Sequence, residues 1–156
     1  MALYDLEDVF RMAAQLEESG RAFYETVALN SPNVVVAALC RDLAQQEQMH
    51  FETFDAMRRG ATGKGRPAEA TFGQMQVTQA LLEDKAAPMQ EEARSVAEHG
   101  SLEDILDMAI AMEAKSVAFY LEIASAVDGE DADTIGRVIE EEGRHEKMLQ
   151  EVKAAL

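Results

Sequence analysis

The sequence predicts an all-α protein, an antiparallel bundle of four long helices with one long crossover between the second helix and the third. Three observations support this prediction. The 156 residues include only nine glycines and three prolines, and no stretch alternates polar and apolar residues over the length of a strand. The chain also repeats itself at an offset of about 95 residues, as expected for a duplicated pair of helices.

The first half of the chain predicts two helices, at about 5–30 and about 32–59. Asp5 is a suitable N-cap for the first helix, because its carboxylate can accept hydrogen bonds from the free amides of the first turn. Pro32 is placed in the first turn of the second helix, where its missing N–H leaves no hydrogen bond unmade.

The connection between the halves is predicted at residues 60–100, and it opens with a glycine-rich stretch. Two helical patterns follow, at Phe72–Lys85 and Met89–His99, with an interruption near Pro88. This segment must return the chain along the bundle, so that the third helix starts at the required end.

The second half predicts a third helix at about 102–127 and a fourth at about 131–156. Ser101 is placed as the N-cap of the third helix, with Asp104 three residues later, close to a capping box. Residues 1–156 are predicted to form one domain, since this length suits a single hydrophobic core.

The duplication is visible residue by residue. Leu6–Ala13 aligns with Leu102–Ala109 at an offset of 96, and Ala22–Tyr24 aligns with Ala118–Tyr120 at the same offset. The second helix of each pair aligns at an offset of 95. We therefore expect the two halves to place equivalent side chains in equivalent positions.

Acidic and histidine side chains fall on the helix faces that should form the core. Glu-x-x-His occurs in both second helices, and each first helix carries one glutamate within its apolar stripe. Residues three apart share a helix face, and burying a carboxylate without a partner costs several kcal/mol. One glutamate from each of two helices and one Glu-x-x-His from each of the others form the ligand set of a dinuclear metal site. The predicted ligands are Glu17, Glu47, His50, Glu113, Glu142 and His145.

Alternatives to this ligand set remain open at the sequence level. A glutamate on a helix usually faces solvent, and two Glu-x-x-His frames could arise by chance in an acidic chain. Glu140, Glu141 and Glu142 are consecutive; the repeat selects Glu142, with Glu141 as the alternative and Glu140 expected on the surface. Carboxylate and imidazole ligands suit iron or manganese.

Tyr24 and Tyr120 each lie seven residues after a predicted ligand, Glu17 and Glu113, on the same helix face. Two interpretations stay open. In one, the rings fill the core; in the other, their hydroxyl groups orient the ligand carboxylates.

Composition excludes several functional classes. A formal net charge of −16 argues against binding to nucleic acid or to anionic membranes. Cys40 is the single cysteine, so neither a disulfide framework nor a cysteine-based metal site is expected. The first residues lack the features of a signal peptide, and a cytoplasmic location is expected.

The chain resembles the ferritin-like superfamily, and its rubrerythrin branch in particular. The resemblance lies in both Glu-x-x-His frames and in two matching segments, Met12–Tyr24 and Met108–Tyr120. It implies that Glu17 and Glu113 are terminal ligands, that Glu47 and Glu142 bridge the metals, and that each histidine binds one metal.

The same resemblance implies a cofactor and a reaction. It suggests two iron ions, with manganese, a mixed iron–manganese pair or zinc as alternatives, and an oxidoreductase that reduces peroxide or dioxygen with electrons from an external donor. A ferroxidase for iron handling and a bundle with a structural or vestigial site are the alternatives. Separately from the resemblance, the long apolar helices predict a homodimer, and the glycine-rich stretch at 60–67 leaves open whether helix pairs are exchanged between subunits.

Two departures from the rubrerythrin pattern stand out. The sequence has no four-cysteine rubredoxin module before it reaches Leu156, so no built-in electron donor is expected. Rubrerythrins also carry a further glutamate one turn before the ligand of the third helix, and this chain has Ile110 there. These differences predict a symmetric, minimal two-metal centre.

Overall fold

A computed structural model describes residues 5–62 and 86–156 of the chain. These residues form helices and no strands, which confirms the predicted all-α class. Four helices of 25 to 28 residues form the bundle, and a shorter one lies in the crossover. The helices are α1 (Leu6–Asn30), α2 (Val34–Ala61), α3 (Ala86–His99), α4 (Leu102–Ala126) and α5 (Gly129–Ala154).

Two helix starts follow from the capping residues that the sequence offers. Asp5 accepts a hydrogen bond from the backbone N–H of Asp8 at 2.8 Å and caps α1. At α4, Ser101 and Asp104 form a reciprocal capping box. Each cap satisfies amide groups that would otherwise lack a partner in the first turn.

The start of α2 differs from the prediction. The helix begins at Val34, and Pro32 lies before it rather than in its first turn. Asn33 is the reason, because its side-chain oxygen accepts hydrogen bonds from the N–H groups of Val35 and Val36, both at 3.1 Å. The Asn33 N-cap therefore determines where α2 begins, a role that the sequence led us to expect for Pro32.

Two further boundaries differ. Helix α5 begins at Gly129, two residues before the predicted start, and Gly129 has a φ of +60°, which glycine adopts without strain. Helix α3 runs without interruption from Ala86 through Pro88, because proline is tolerated in the first turn of a helix. The predicted helix at Phe72–Lys85 lies outside the described residues.

The core consists of two apolar clusters at opposite ends of the bundle. The first cluster includes Phe10, Phe54 and Ile135, and the second includes Phe23, Leu43 and Leu149. Helix α3 adds Ala97 to the second cluster, which also contains the buried Cys40. The middle of the bundle is left for polar side chains.

Among the described helices, none combines the length and the apolar character that a bilayer crossing requires. The bundle helices are amphipathic instead, with one face in the core and one in water.

Candidate metal centre

Six ionisable side chains fill the middle of the bundle, between the two apolar clusters. None has more than 5% of its surface exposed, and Glu142 has 0%. Each of α1 and α4 contributes one of them, and each of α2 and α5 contributes two. They are the six predicted ligands, Glu17, Glu47, His50, Glu113, Glu142 and His145.

These side chains form two overlapping groups. Glu17 and His50 belong to one group, Glu113 and His145 belong to the other, and Glu47 and Glu142 belong to both. Within each group, one ligand atom per residue lies within 4.8 Å of the others. The 95–96-residue repeat converts one group into the other, so the centre has the pseudo-symmetry of the sequence.

Both histidines turn Nδ1 towards this centre. His50 Nδ1 lies 3.0 Å from Glu142 Oε1 and 3.5 Å from Glu17 Oε2. His145 Nδ1 lies 3.4 Å from Glu142 Oε2 and 3.8 Å from Glu113 Oε1. The two rings are stacked, with centroids 6.0 Å apart.

The two tyrosines link the halves of the bundle. Tyr24 Oη donates a hydrogen bond to Glu113 Oε1 at 2.5 Å, and Tyr120 Oη donates to Glu17 Oε1. Burial raises the pKa of each tyrosine well above 10, and the nearby glutamates raise it further, so each hydroxyl keeps its proton. Each tyrosine thus both fills the core and orients a carboxylate of the other half.

The outer nitrogens of the histidines have partners that the sequence analysis missed. His50 Nε2 lies 2.5 Å from Glu141 Oε2, and His145 Nε2 lies 2.5 Å from Gln46 Oε1. Gln46 and Glu141 are 95 residues apart, and each directly precedes a Glu-x-x-His frame. Their equivalent positions in the repeat, directly before the Glu-x-x-His frames, are the sequence feature that could have identified them as histidine partners.

The three consecutive glutamates of α5 have different environments. Glu142 is fully buried in the centre, and Glu140 is exposed. Glu141 is 41% exposed at its side chain and contacts His50 from the outside. The structure thus places Glu142, as the repeat predicts, among the six inward-facing side chains, with Glu141 behind His50.

The environment of these side chains favours protons on most of them. Burial raises the pKa of Glu17, Glu47 and Glu113 well above the ordinary value. Burial also raises the pKa of Glu142, but hydrogen bonds from Glu113 and the histidines outweigh it and lower the pKa well below the ordinary value. Burial lowers the pKa of each histidine, yet the close approach and the charge of the carboxylates raise both to about 9.

Several buried ligand atoms still lack a hydrogen-bond partner among the described residues. They are Glu17 Oε2, Glu142 Oε2 and His145 Nδ1. An unsatisfied buried polar atom costs about 1–3 kcal/mol. Cations between the two groups would satisfy these atoms, so the donor set fits a pair of metal ions.

Gly20 makes room for one of the shared carboxylates. A Cβ atom at this position would lie 3.0 Å from Glu47 Oε2 and 3.2 Å from Glu47 Cδ. The repeat places Ser116 at the equivalent position of α4. A glycine in mid-helix is destabilising, and here it permits the close approach of Glu47.

Comparison with known proteins identifies the family. A sequence model of the rubrerythrin family matches residues 8–153. The chain belongs to the rubrerythrin family. This rubrerythrin-family chain also resembles a solved structure from Thermotoga maritima, described as a candidate ferritin-like diiron-carboxylate protein.

The structural match covers 99% of this chain and 97% of the other, with a TM-score of 0.72 and 22% sequence identity. At that identity, the likeness shows a shared ferritin-like fold. No curated protein matches the chain significantly.

The histidine pKa values predict how the stability of the metal-free protein depends on pH. Both pKa values are raised from 6.5 to about 9, so their stabilisation is complete below pH 6.5 and is lost as the pH rises through 9. Each histidine accounts for up to about 3 kcal/mol. The raised pKa values of Glu17, Glu47 and Glu113 also make the folded protein less stable as the pH rises. Glu142 has the opposite effect, because its lowered pKa stabilises the folded protein above its ordinary pKa.

We expect the Tm of the metal-free protein, followed by circular dichroism, to fall between pH 6.5 and 9. Addition of Mn²⁺ should reduce the fall, because bound cations replace the protons. A metal-free Tm that stays constant or rises across this range would contradict the assigned charges.

Gly20→Ala tests whether the space beside Glu47 matters. The added methyl group should displace the Glu47 carboxylate and weaken binding of Mn²⁺ roughly tenfold or more, measured by calorimetry. Gly136→Ala is the matched control, because a Cβ there meets nothing within 4 Å. The control should leave binding unchanged and stabilise α5 by up to about 1 kcal/mol. Equal binding by both variants would show that Gly20 has no such role.

Proposed function

We propose that this chain is a di-iron carboxylate oxidoreductase that reduces peroxide or dioxygen with electrons from an external donor. The observation that carries the proposal is the sharing of Glu47 and Glu142 by two groups of buried ligands. Two carboxylates common to both groups are what a pair of adjacent metals requires. Family membership supports the same assignment.

The six side chains would divide into three roles. Glu47 and Glu142 would bridge the two ions, and Glu17 and Glu113 would each bind one ion as terminal ligands. His50 and His145 would each supply Nδ1 to one ion. Four carboxylates balance the charge of two divalent cations, and the mixture of oxygen and imidazole ligands suits iron or manganese better than soft metals.

When bound, two ferrous ions supply the two electrons that convert hydrogen peroxide and two protons into two water molecules. The protein's own groups hold the ligands in place. The hydroxyl groups of Tyr24 and Tyr120 fix one oxygen of each terminal carboxylate and retain their protons. The apolar clusters on both sides exclude water from the centre.

The electrons would have to come from another molecule. Cys40 is the single cysteine of this sequence, and it lies buried in an apolar cluster, where burial raises its pKa to about 12. It therefore offers neither a thiolate nor an iron–sulfur site. A separate redox protein or a reduced cofactor is the proposed donor.

A ferroxidase in iron handling is the second candidate, and Ile110 is the observation that favours it. Ile110 lies one turn before Glu113 and packs against an apolar cluster. It offers no additional carboxylate near the centre, so the ligand set stays at three residues from each half. Such a centre could oxidise iron that then leaves, with dioxygen as the oxidant.

Loading the protein with Fe²⁺ in the absence of oxygen, and then mixing it with either hydrogen peroxide or dioxygen, tests the proposal and separates these candidates. The oxidoreductase predicts that near-ultraviolet absorption rises faster with hydrogen peroxide than with dioxygen, and that an added reductant restores the ferrous state for further cycles. Release of Fe³⁺ after each cycle, together with a preference for dioxygen, would favour the ferroxidase.

Glu47→Ala should abolish the reaction by removing a shared carboxylate. Glu140→Ala is the matched control, because Glu140 is an exposed glutamate on the solvent side of α5. No reaction of the iron-loaded protein with either oxidant would reject both candidates.

A further inference from the structure

The two histidines differ in the group that contacts their outer nitrogens. His50 Nε2 contacts a carboxylate, Glu141, whereas His145 Nε2 contacts a side-chain amide, Gln46. Both contacts are 2.5 Å long. The contact distance is the same on both sides, and the charge of the acceptor is different.

Gln46 and Glu141 occupy equivalent positions in the duplicated chain. Each lies one residue before a shared carboxylate, and each reaches across to the histidine of the other half. Among the six inward-facing side chains, the repeat conserves every residue type. The pair behind the histidines is one place where the chain departs from its own symmetry, and Gly20 with its equivalent Ser116 is another.

This difference has a direct chemical consequence for the atoms that face the centre. An oxygen acceptor on Nε2 keeps the ring proton there and leaves the lone pair of Nδ1 for a metal ion. A carboxylate acceptor also raises the basicity of the ring more than a neutral amide does, because its bond to the N–H is charge-assisted. Nδ1 of His50 is therefore the stronger of the two nitrogen ligands.

Other charges near Glu141 do not cancel the effect. Arg144 Nη2 lies 4.0 Å from Glu141 Oε1, and its side chain is 67% exposed. An exposed ion pair at that distance contributes little. Glu141 itself is 41% exposed, so solvent reduces its influence on His50, and we expect an effect of roughly tenfold, at the lower end of the range for such partners.

We propose that the two metal positions are unequal, and that Glu141 makes the position beside His50 the one that is filled first. Glu141 acts here as a positioning and tuning residue, through His50. This inference rests on the proposed metal centre, but it does not depend on the reaction with peroxide or dioxygen.

The decisive experiment locates the first ion. Crystals of the protein with one equivalent of Mn²⁺ give an anomalous signal at each position, and the wild-type signal should be about tenfold stronger beside His50 than beside His145. The location of the ion is measured, rather than the number of binding steps, because repulsion between two bound cations would produce two separate binding steps even if the two positions were equivalent.

A charge-conserving exchange provides the strictest variant. Glu141→Gln combined with Gln46→Glu moves the carboxylate behind His145, so the stronger signal should move there too. Glu141→Gln alone should make the two signals similar and weaken the first calorimetric step roughly tenfold. Glu140→Gln removes the same charge from the exposed side of α5 and should leave both readouts unchanged.

The outcomes separate this inference from the proposed function. Equal signals in the wild-type protein, or a stronger signal that stays beside His50 in the exchange variant, would overturn the inference while leaving the metal centre intact. Circular dichroism shows whether each variant is folded, and Gln46→Glu alone, which should strengthen the His145 position, tests the same claim without removing Glu141. Failure of the wild-type protein to bind Mn²⁺, Fe²⁺ or Co²⁺ would overturn the centre and the inference together.

Discussion

The convergence of four carboxylates in the middle of the bundle is the constraint on which the rest of this structure depends. Glu17, Glu47, Glu113 and Glu142 are each at least 95% buried, in a region where an unpaired negative charge costs several kcal/mol. The charge must be balanced by protons or by cations. The raised pKa values of three carboxylates and both histidines favour balance by protons. A pair of divalent ions would balance the charge instead.

The architecture keeps water away from that cluster and holds its side chains in fixed positions. Apolar clusters close both ends of the bundle, so the stability of the fold comes from packing on either side of a polar layer. Tyr24 and Tyr120 connect the halves across this layer, each anchored in one half and bonded to a carboxylate of the other. Gly20 lowers the stability of α1, and its missing side chain leaves room for the Glu47 carboxylate. The buried cluster is thus built from two copies of one helix pair.

The helices and the six buried ionisable side chains could be predicted from the sequence. The helical period shows which charged residues lie on an apolar stripe, and the duplication identifies the equivalent residues in both halves. The repeat favoured Glu142 over its two neighbours. Gln46 and Glu141 were not predicted as histidine partners, because residues at the edge of an apolar stripe are usually solvent-facing and only the structure shows the opposite helix beside them. Pro32 was placed in the first turn because proline is common there, and the capping capacity of Asn33 was not considered.

The central claim is that the six buried side chains hold two metals close enough to interact. Mössbauer spectroscopy of protein reconstituted with ⁵⁷Fe²⁺ without oxygen, then oxidised, tests it most directly. We expect two irons per chain that are magnetically coupled in the oxidised protein, with a diamagnetic ground state. One iron or fewer per chain, or two irons that behave as isolated high-spin Fe³⁺ ions, would contradict it.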